Sequence, residues 1–106
     1  MIEFLFWEGC PSHERALAEL IGAIDELQLA REDLRITEIH SQDDAERERF
    51  TGSPTIRIDG SDIVDPGNEP YGLDCRVYYR ADGRPSPLPD PALLRAAIAD
   101  YAATDN

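Results

Sequence analysis

The change of pattern across residues 7–13 constrains this chain more than any other feature. Ile2-Glu3-Phe4-Leu5-Phe6-Trp7 is β-prone and almost continuously apolar, as expected of a central strand covered on both faces. From Pro11 onward, Leu17, Leu20, Ile21, Ile24 and Leu27 recur at steps of three and four, which predicts an amphipathic helix over 11–28. Pro11 suits its first position, where a missing N–H costs nothing. Cys10 therefore falls at a strand-to-helix turn, beside free backbone N–H groups and the positive end of a helix dipole. That setting favours the thiolate, the reactive form of the side chain. Three residues further on, where a second cysteine would complete a local dithiol, the chain has His13.

The remaining elements read in order. Leu34–Ile39 is a second strand, and Asp43–Phe50 is a short charged helix with only Ala45 and Phe50 to bury. Gly52-Ser53-Pro54 ends it, and Thr55-Ile56-Arg57-Ile58-Asp59 alternates as a third strand. Asp59-Gly60 is a hairpin turn signal, followed by a return strand at Ser61–Val64. A Pro- and Gly-rich loop follows, and Cys75–Arg80 reads as a further edge strand before the Asp82-Gly83 turn. Pro85, Pro87, Pro89 and Pro91 keep the next stretch extended. Asp90 caps a last helix whose apolar face is Leu93, Leu94, Ala97, Ile98 and Tyr101. The order β-α-β-α-β-β-(β)-α predicts an α/β fold with a mixed four- to five-stranded sheet and helices on both faces.

A length of 106 residues suits one domain with one core, and no apolar run approaches the roughly 20 residues of a membrane span. Met1 opens directly on the first strand with no signal-like segment, so a cytoplasmic location is expected. The formal net charge is −12 and all ten basic residues are Arg. An acidic chain lacks the positive footprint that nucleic acid or an anionic membrane requires, so neither is an expected partner. The absence of Lys removes Schiff-base chemistry. Two cysteines, Cys10 and Cys75, are too few for a disulfide scaffold and point to redox, catalytic or metal chemistry, or to inert thiols. No cofactor is implied.

Three motifs in this order resemble the thioredoxin-like superfamily. Trp7-Glu8-Gly9-Cys10-Pro11-Ser12-His13 resembles its active-site turn, Gly52-Ser53-Pro54-Thr55 its cis-proline loop, and Ile56–Val64 a glutaredoxin-type hairpin. The resemblance covers residues 2–64 and 90–102 and leaves 66–89 as an insertion within a single domain, 1–106. Gly9-Cys10-Pro11-Ser12, Gly52–Thr55 and Tyr71–Arg76 are most similar to small thioredoxin-like proteins related to the core of organomercurial (alkylmercury) lyase. That family holds mercury with two cysteines distant in sequence and protonates carbon with an aspartate. Cys10 matches its first cysteine and Cys75 offers a second, while His13 stands where the family has the aspartate. The resemblance implies a cis Ser53–Pro54 bond and a substrate groove bordered by Trp7, Pro11, Ser53, Pro54 and Thr55.

Two chemistries follow for the site. In thiol–disulfide exchange, Cys10 attacks a disulfide or another soft electrophile and Cys75 resolves the mixed intermediate, the partner being a thiol or disulfide substrate, protein or small molecule. In the alternative, Cys10 and Cys75 hold mercury and the carbon–mercury bond is protonated. A third reading is a non-enzymatic binding module. His13 either supports the thiolate and shuttles a proton or is a solvated helix residue. Ser12 either donates to the thiolate or caps the helix. Asp74 is a candidate proton donor, and Tyr71, Tyr78 and Tyr79 are candidate pocket walls. Cys75 reaches Cys10 if Ser61–Val64 is the return strand. If Cys75–Arg80 is that strand, Cys75 starts at the far end.

Overall fold

The structure is a computed structural model, and residues 1–104 are described; Asp105 and Asn106 lie outside them. Strand β1 (Ile2–Phe6) is followed by helix α1 (His13–Glu26), strand β2 (Leu34–Glu38), helix α2 (Gln42–Glu48) and strands β3 (Thr55–Ile58) and β4 (Ser61–Asp62). A separate hairpin, β5 (Tyr78–Tyr79) and β6 (Pro85–Ser86), precedes helix α3 (Pro91–Thr104).

The main sheet has the order β2-β1-β3-β4. β1 runs parallel to β2 and antiparallel to β3, with Phe4 opposite both Ile36 and Ile56. A parallel neighbour needs a crossover, and α1 supplies it. β4 returns antiparallel to β3 through the Asp59-Gly60 turn, where both residues have positive φ (51° and 87°). That is the type I′ geometry whose twist matches the flanking strands.

Alternation along β1 divides the core between the two faces of the sheet. Ile2 and Phe4 pack with Ile56 under Ala16, Leu20 and Ile24 of α1 and Leu94 and Ile98 of α3. Leu5 points the other way and packs with Ile39, Ala45 and Phe50 beneath α2. The fold is thus mixed α/β with helices on both faces of a four-stranded sheet. Asp90 caps α3 as expected, accepting from Ala92 N–H at 2.9 Å. Ser41 caps α2 by accepting from Asp44 N–H at 3.1 Å.

Three expectations are corrected. Pro11 lies in the turn before α1, not at its first position, and the helix spans His13–Glu26, not 11–28. Ser12 occupies the cap position with helical backbone angles and makes no side-chain capping bond. Cys75–Arg80 is not an edge strand of the main sheet: within it only Tyr78–Tyr79 forms a strand, paired with Pro85–Ser86, and Cys75 makes a single isolated bridge. The reason lies in Arg76, whose backbone and side chain are committed to the Ser53 loop and the β4 turn. Among the described residues, no helix is long and apolar enough to cross a membrane.

Candidate functional site

Cys10 and Cys75, 65 residues apart in sequence, form a disulfide with Cα atoms 5.5 Å apart, within the range such a bond spans. Cys10 is held in the turn after β1 by its own N–H, which donates to the Trp7 carbonyl at 3.1 Å. Its sulfur is buried against two groups of opposite character. Ser12 Oγ lies 3.4 Å away and can donate to a thiolate. The Ser53 carbonyl lies 3.6 Å away and can only accept, so it favours the protonated thiol once the bond is reduced.

Cys75 arrives by docking, not by belonging to the sheet. Ser53 N–H donates to the Asp74 carbonyl at 2.8 Å, and Arg76 N–H donates to the Ser53 carbonyl at 2.9 Å. These two bonds make a short parallel bridge between Ser53 and Cys75. Upstream, Gly72 N–H donates to the Phe50 carbonyl at 3.0 Å, and Leu73 packs on the Leu5–Phe50 cluster. Close approach is possible because residue 52 is glycine: a Cβ there would sit 3.1 Å from Arg76 N, at a φ of +155°.

The dock is locked by a buried polar cluster. The Arg76 guanidinium donates to Asp62 Oδ2 at 2.6 Å, and the two side chains are only 7% and 13% exposed. It also donates to the Val64 carbonyl and to Thr55 Oγ1, and lies 4.6 Å above the Tyr78 ring. Tyr78 O–H in turn donates to the Pro54 carbonyl. Burial pushes the Tyr78 phenol well above its ordinary value; Arg76 opposes the shift and Asp62 adds to it. Neither Arg76 nor Asp62 stands out in the sequence as a site residue. The available signal was the alternation Cys75-Arg76-Val77-Tyr78-Tyr79, in which Arg76 and Tyr78 are buried and the other three exposed.

The remaining candidates divide. The Ser53–Pro54 bond is cis. Ser53, Pro54 and Thr55 are fully buried and serve as scaffold. Ser53 Oγ accepts from Trp7 N–H at 3.0 Å, and Thr55 O–H donates to the Gly52 carbonyl at 2.7 Å. In this disulfide form they offer no surface for a groove. Trp7 packs on the Leu5–Phe50 cluster, and Pro11 is exposed beside Cys10. His13 bonds the backbone of Cys10: its Nδ1–H donates to the Cys10 carbonyl at 2.8 Å, since a carbonyl only accepts. Its ring stacks on Phe6 at 4.6 Å. Asp74 and Cys75 are exposed, and with Tyr78 and Tyr79 they line a cleft of about 560 Å³. Tyr71 lines a different depression, beside Arg49 and Pro70.

Among the described residues, no group of three or more His, Cys, Asp or Glu side chains is arranged to hold a metal ion. No protein-family model matches the chain, and no curated protein or solved structure matches it either.

Proposed function

We propose that this chain is a thioredoxin-like thiol protein whose Cys10–Cys75 pair cycles between disulfide and dithiol by exchange with thiol or disulfide substrates. One observation carries the reading: two cysteines 65 residues apart meet at the strand-to-helix turn, and a buried non-covalent dock holds the second one there. A dock of this kind survives reduction, so the two thiols stay close and the bond re-forms readily. The β2-β1-β3-β4 order and the cis-proline loop beside the Cys10 turn support the thioredoxin-like assignment.

The test is equilibration in thiol–disulfide buffers, followed by acid quench, alkylation and mass measurement. A reversible two-electron transition with a midpoint between about −270 and −120 mV, the range of exchange proteins, is expected. A midpoint below about −300 mV marks a structural staple and overturns the exchange reading. Two adjacent thiolates also suit a soft metal, which favours mercury capture as the second reading. Hydrocarbon release from an organomercurial, lost on either Cys10→Ser or Cys75→Ser, distinguishes it.

A further inference from the structure

The two cysteines are not equivalent. Cys10 is 2% exposed and enclosed by the turn and the Ser53 loop. Cys75 is exposed and stands on the wall of the 560 Å³ cleft, with Asp74 and Tyr79 beside it. The strand-to-helix turn suggests Cys10 as the attacking sulfur, whereas the burial of the two residues favours Cys75. We propose that Cys75 is the substrate-facing sulfur and that the cleft beside it seats a thiol- or disulfide-bearing group that carries positive charge. This inference rests on the exchange reading above.

The step balances as ordinary thiol–disulfide exchange. An incoming thiolate attacks Cys75 Sγ in line with the Cys10 sulfur. The new S–S bond forms on Cys75, the Cys10–Cys75 bond breaks, and Cys10 leaves as a thiolate with the bonding electron pair. A second incoming thiolate then attacks the substrate sulfur of the mixed disulfide and frees Cys75 as thiolate. Two thiols are oxidised to one disulfide, and the protein becomes a dithiol. In reverse, the Cys75 thiolate attacks the substrate disulfide, expels one thiolate, and Cys10 attacks Cys75 to expel the other.

The inner position makes Cys10 the departing sulfur, because an attacker that reaches Cys75 expels the sulfur behind it. Ser12 Oγ, 3.4 Å from the Cys10 sulfur, can donate to the departing thiolate. Cys75 has no such support among its described contacts and is the accessible partner.

The charge preference comes from the cleft. Asp65, Glu69, Asp74 and Asp90 line it, and Asp65 and Asp90 are engaged by backbone N–H groups that leave their charge intact. Arg76 also lines the cleft, but its charge is matched by Asp62. Carboxylates at a cleft wall repel an anionic attacker and attract a cationic one, and salt weakens both effects.

Two measurements test the proposal. In the first, Cys10→Ser and Cys75→Ser are each reacted with hydroxyethyl disulfide, which is small and uncharged. Cys75 in the first variant is expected to react at least about tenfold faster than Cys10 in the second, since thiolate access controls the rate. Equal rates, or a faster Cys10, overturn the assignment whether or not the native pair cycles. In the second, the oxidised protein is reduced by cysteamine, mercaptoethanol or thioglycolate at equal thiolate concentration, quenched early in acid and digested with trypsin. The adduct is expected on peptide 58–76, which carries Cys75, and not on peptide 1–15. Rates are expected to fall about tenfold per added negative charge at about 20 mM salt and to converge near 1 M. An adduct on peptide 1–15 refutes the role of Cys75 while leaving exchange intact. Equal rates for the three thiols refute the charge preference. Resistance to all three until the protein unfolds removes the exchange reading itself.

Discussion

Replacing Arg76 by Met separates the dock from the disulfide it holds. Met keeps much of the side-chain length and apolar volume but leaves the Asp62 carboxylate, 13% exposed, without its partner. Removing one member of a buried ion pair typically costs about 3–5 kcal/mol. Asp62 keeps some solvent contact, and its Oδ1 still accepts from Val64 N–H at 3.0 Å, so the lower end, about 3 kcal/mol, is expected. The redox effect has a different origin. With the dock loosened, the stretch between Asp62 and Tyr78 must be closed each time the sulfurs meet. Closing a loop of roughly fifteen residues costs about 2.4 kcal/mol on the (3/2)RT ln n scale. The backbone bonds at Ser53 and Phe50 retain part of that closure, so about 1–2 kcal/mol should appear in the disulfide equilibrium. That raises the reduction potential by about 20–40 mV, because 30 mV is about 1.4 kcal/mol for a two-electron couple. Urea unfolding of the oxidised and reduced forms measures the first quantity, and thiol trapping in redox buffers the second. Adding Asp62→Leu to Arg76→Met should recover most of the lost stability, since an apolar pair replaces a stranded charge. A single variant that loses less than about 1 kcal/mol and keeps the wild-type midpoint would falsify the view that Arg76 holds Cys75 in place.

Two further outcomes are expected. Burial raises the Tyr78 phenol above its ordinary value of 10.0, so its contribution is fully present below pH 10 and is lost as pH rises from there, where the unfolded chain ionises first. Tyr78→Phe should cost about 1 kcal/mol at neutral pH for the hydrogen bond to Pro54, and should flatten the alkaline part of a stability-against-pH curve; an unchanged alkaline slope counts against this account. Gly52→Ala places a methyl 3.1 Å from Arg76 N at a backbone angle that side chains rarely adopt. A loss of about 1–3 kcal/mol is expected, together with a raised disulfide midpoint, because the atoms pushed aside belong to the Cys75 segment; a drop in stability with no change in midpoint argues that the strain relaxes elsewhere.

Local chemistry made much of the frame legible. The apolar run at Ile2–Phe6, the alternation at Thr55–Ile58, the Asp59-Gly60 turn and the Asp90 cap each act over a few residues, and each forms where the sequence predicts. The start of α1 at His13 is not legible locally, because Pro11 fits a first helical turn and a preceding loop equally well. Ser12 has the composition of a cap, but its hydroxyl faces the Cys10 sulfur. The Cys75–Arg80 segment has the composition of a strand, yet its inward residues are Arg76 and Tyr78. A buried arginine is stable only opposite a partner such as Asp62, and nothing local announces that partner.

The sequence by itself determined that Cys10 lies in a strand-to-helix turn, and left the position of Cys75 open between two hairpin readings. Ser61–Asp62 is the return strand, and the chain beyond it is free to fold back over the Ser53 loop. Which cysteine is buried and which is exposed was decided only in three dimensions. The physical reason is that strand, turn and cap preferences are set by neighbours in the chain. The Cys10–Cys75 contact depends instead on Arg76 and Tyr78 of one segment meeting Asp62 and the Gly52–Pro54 loop, which are distant from them in the chain.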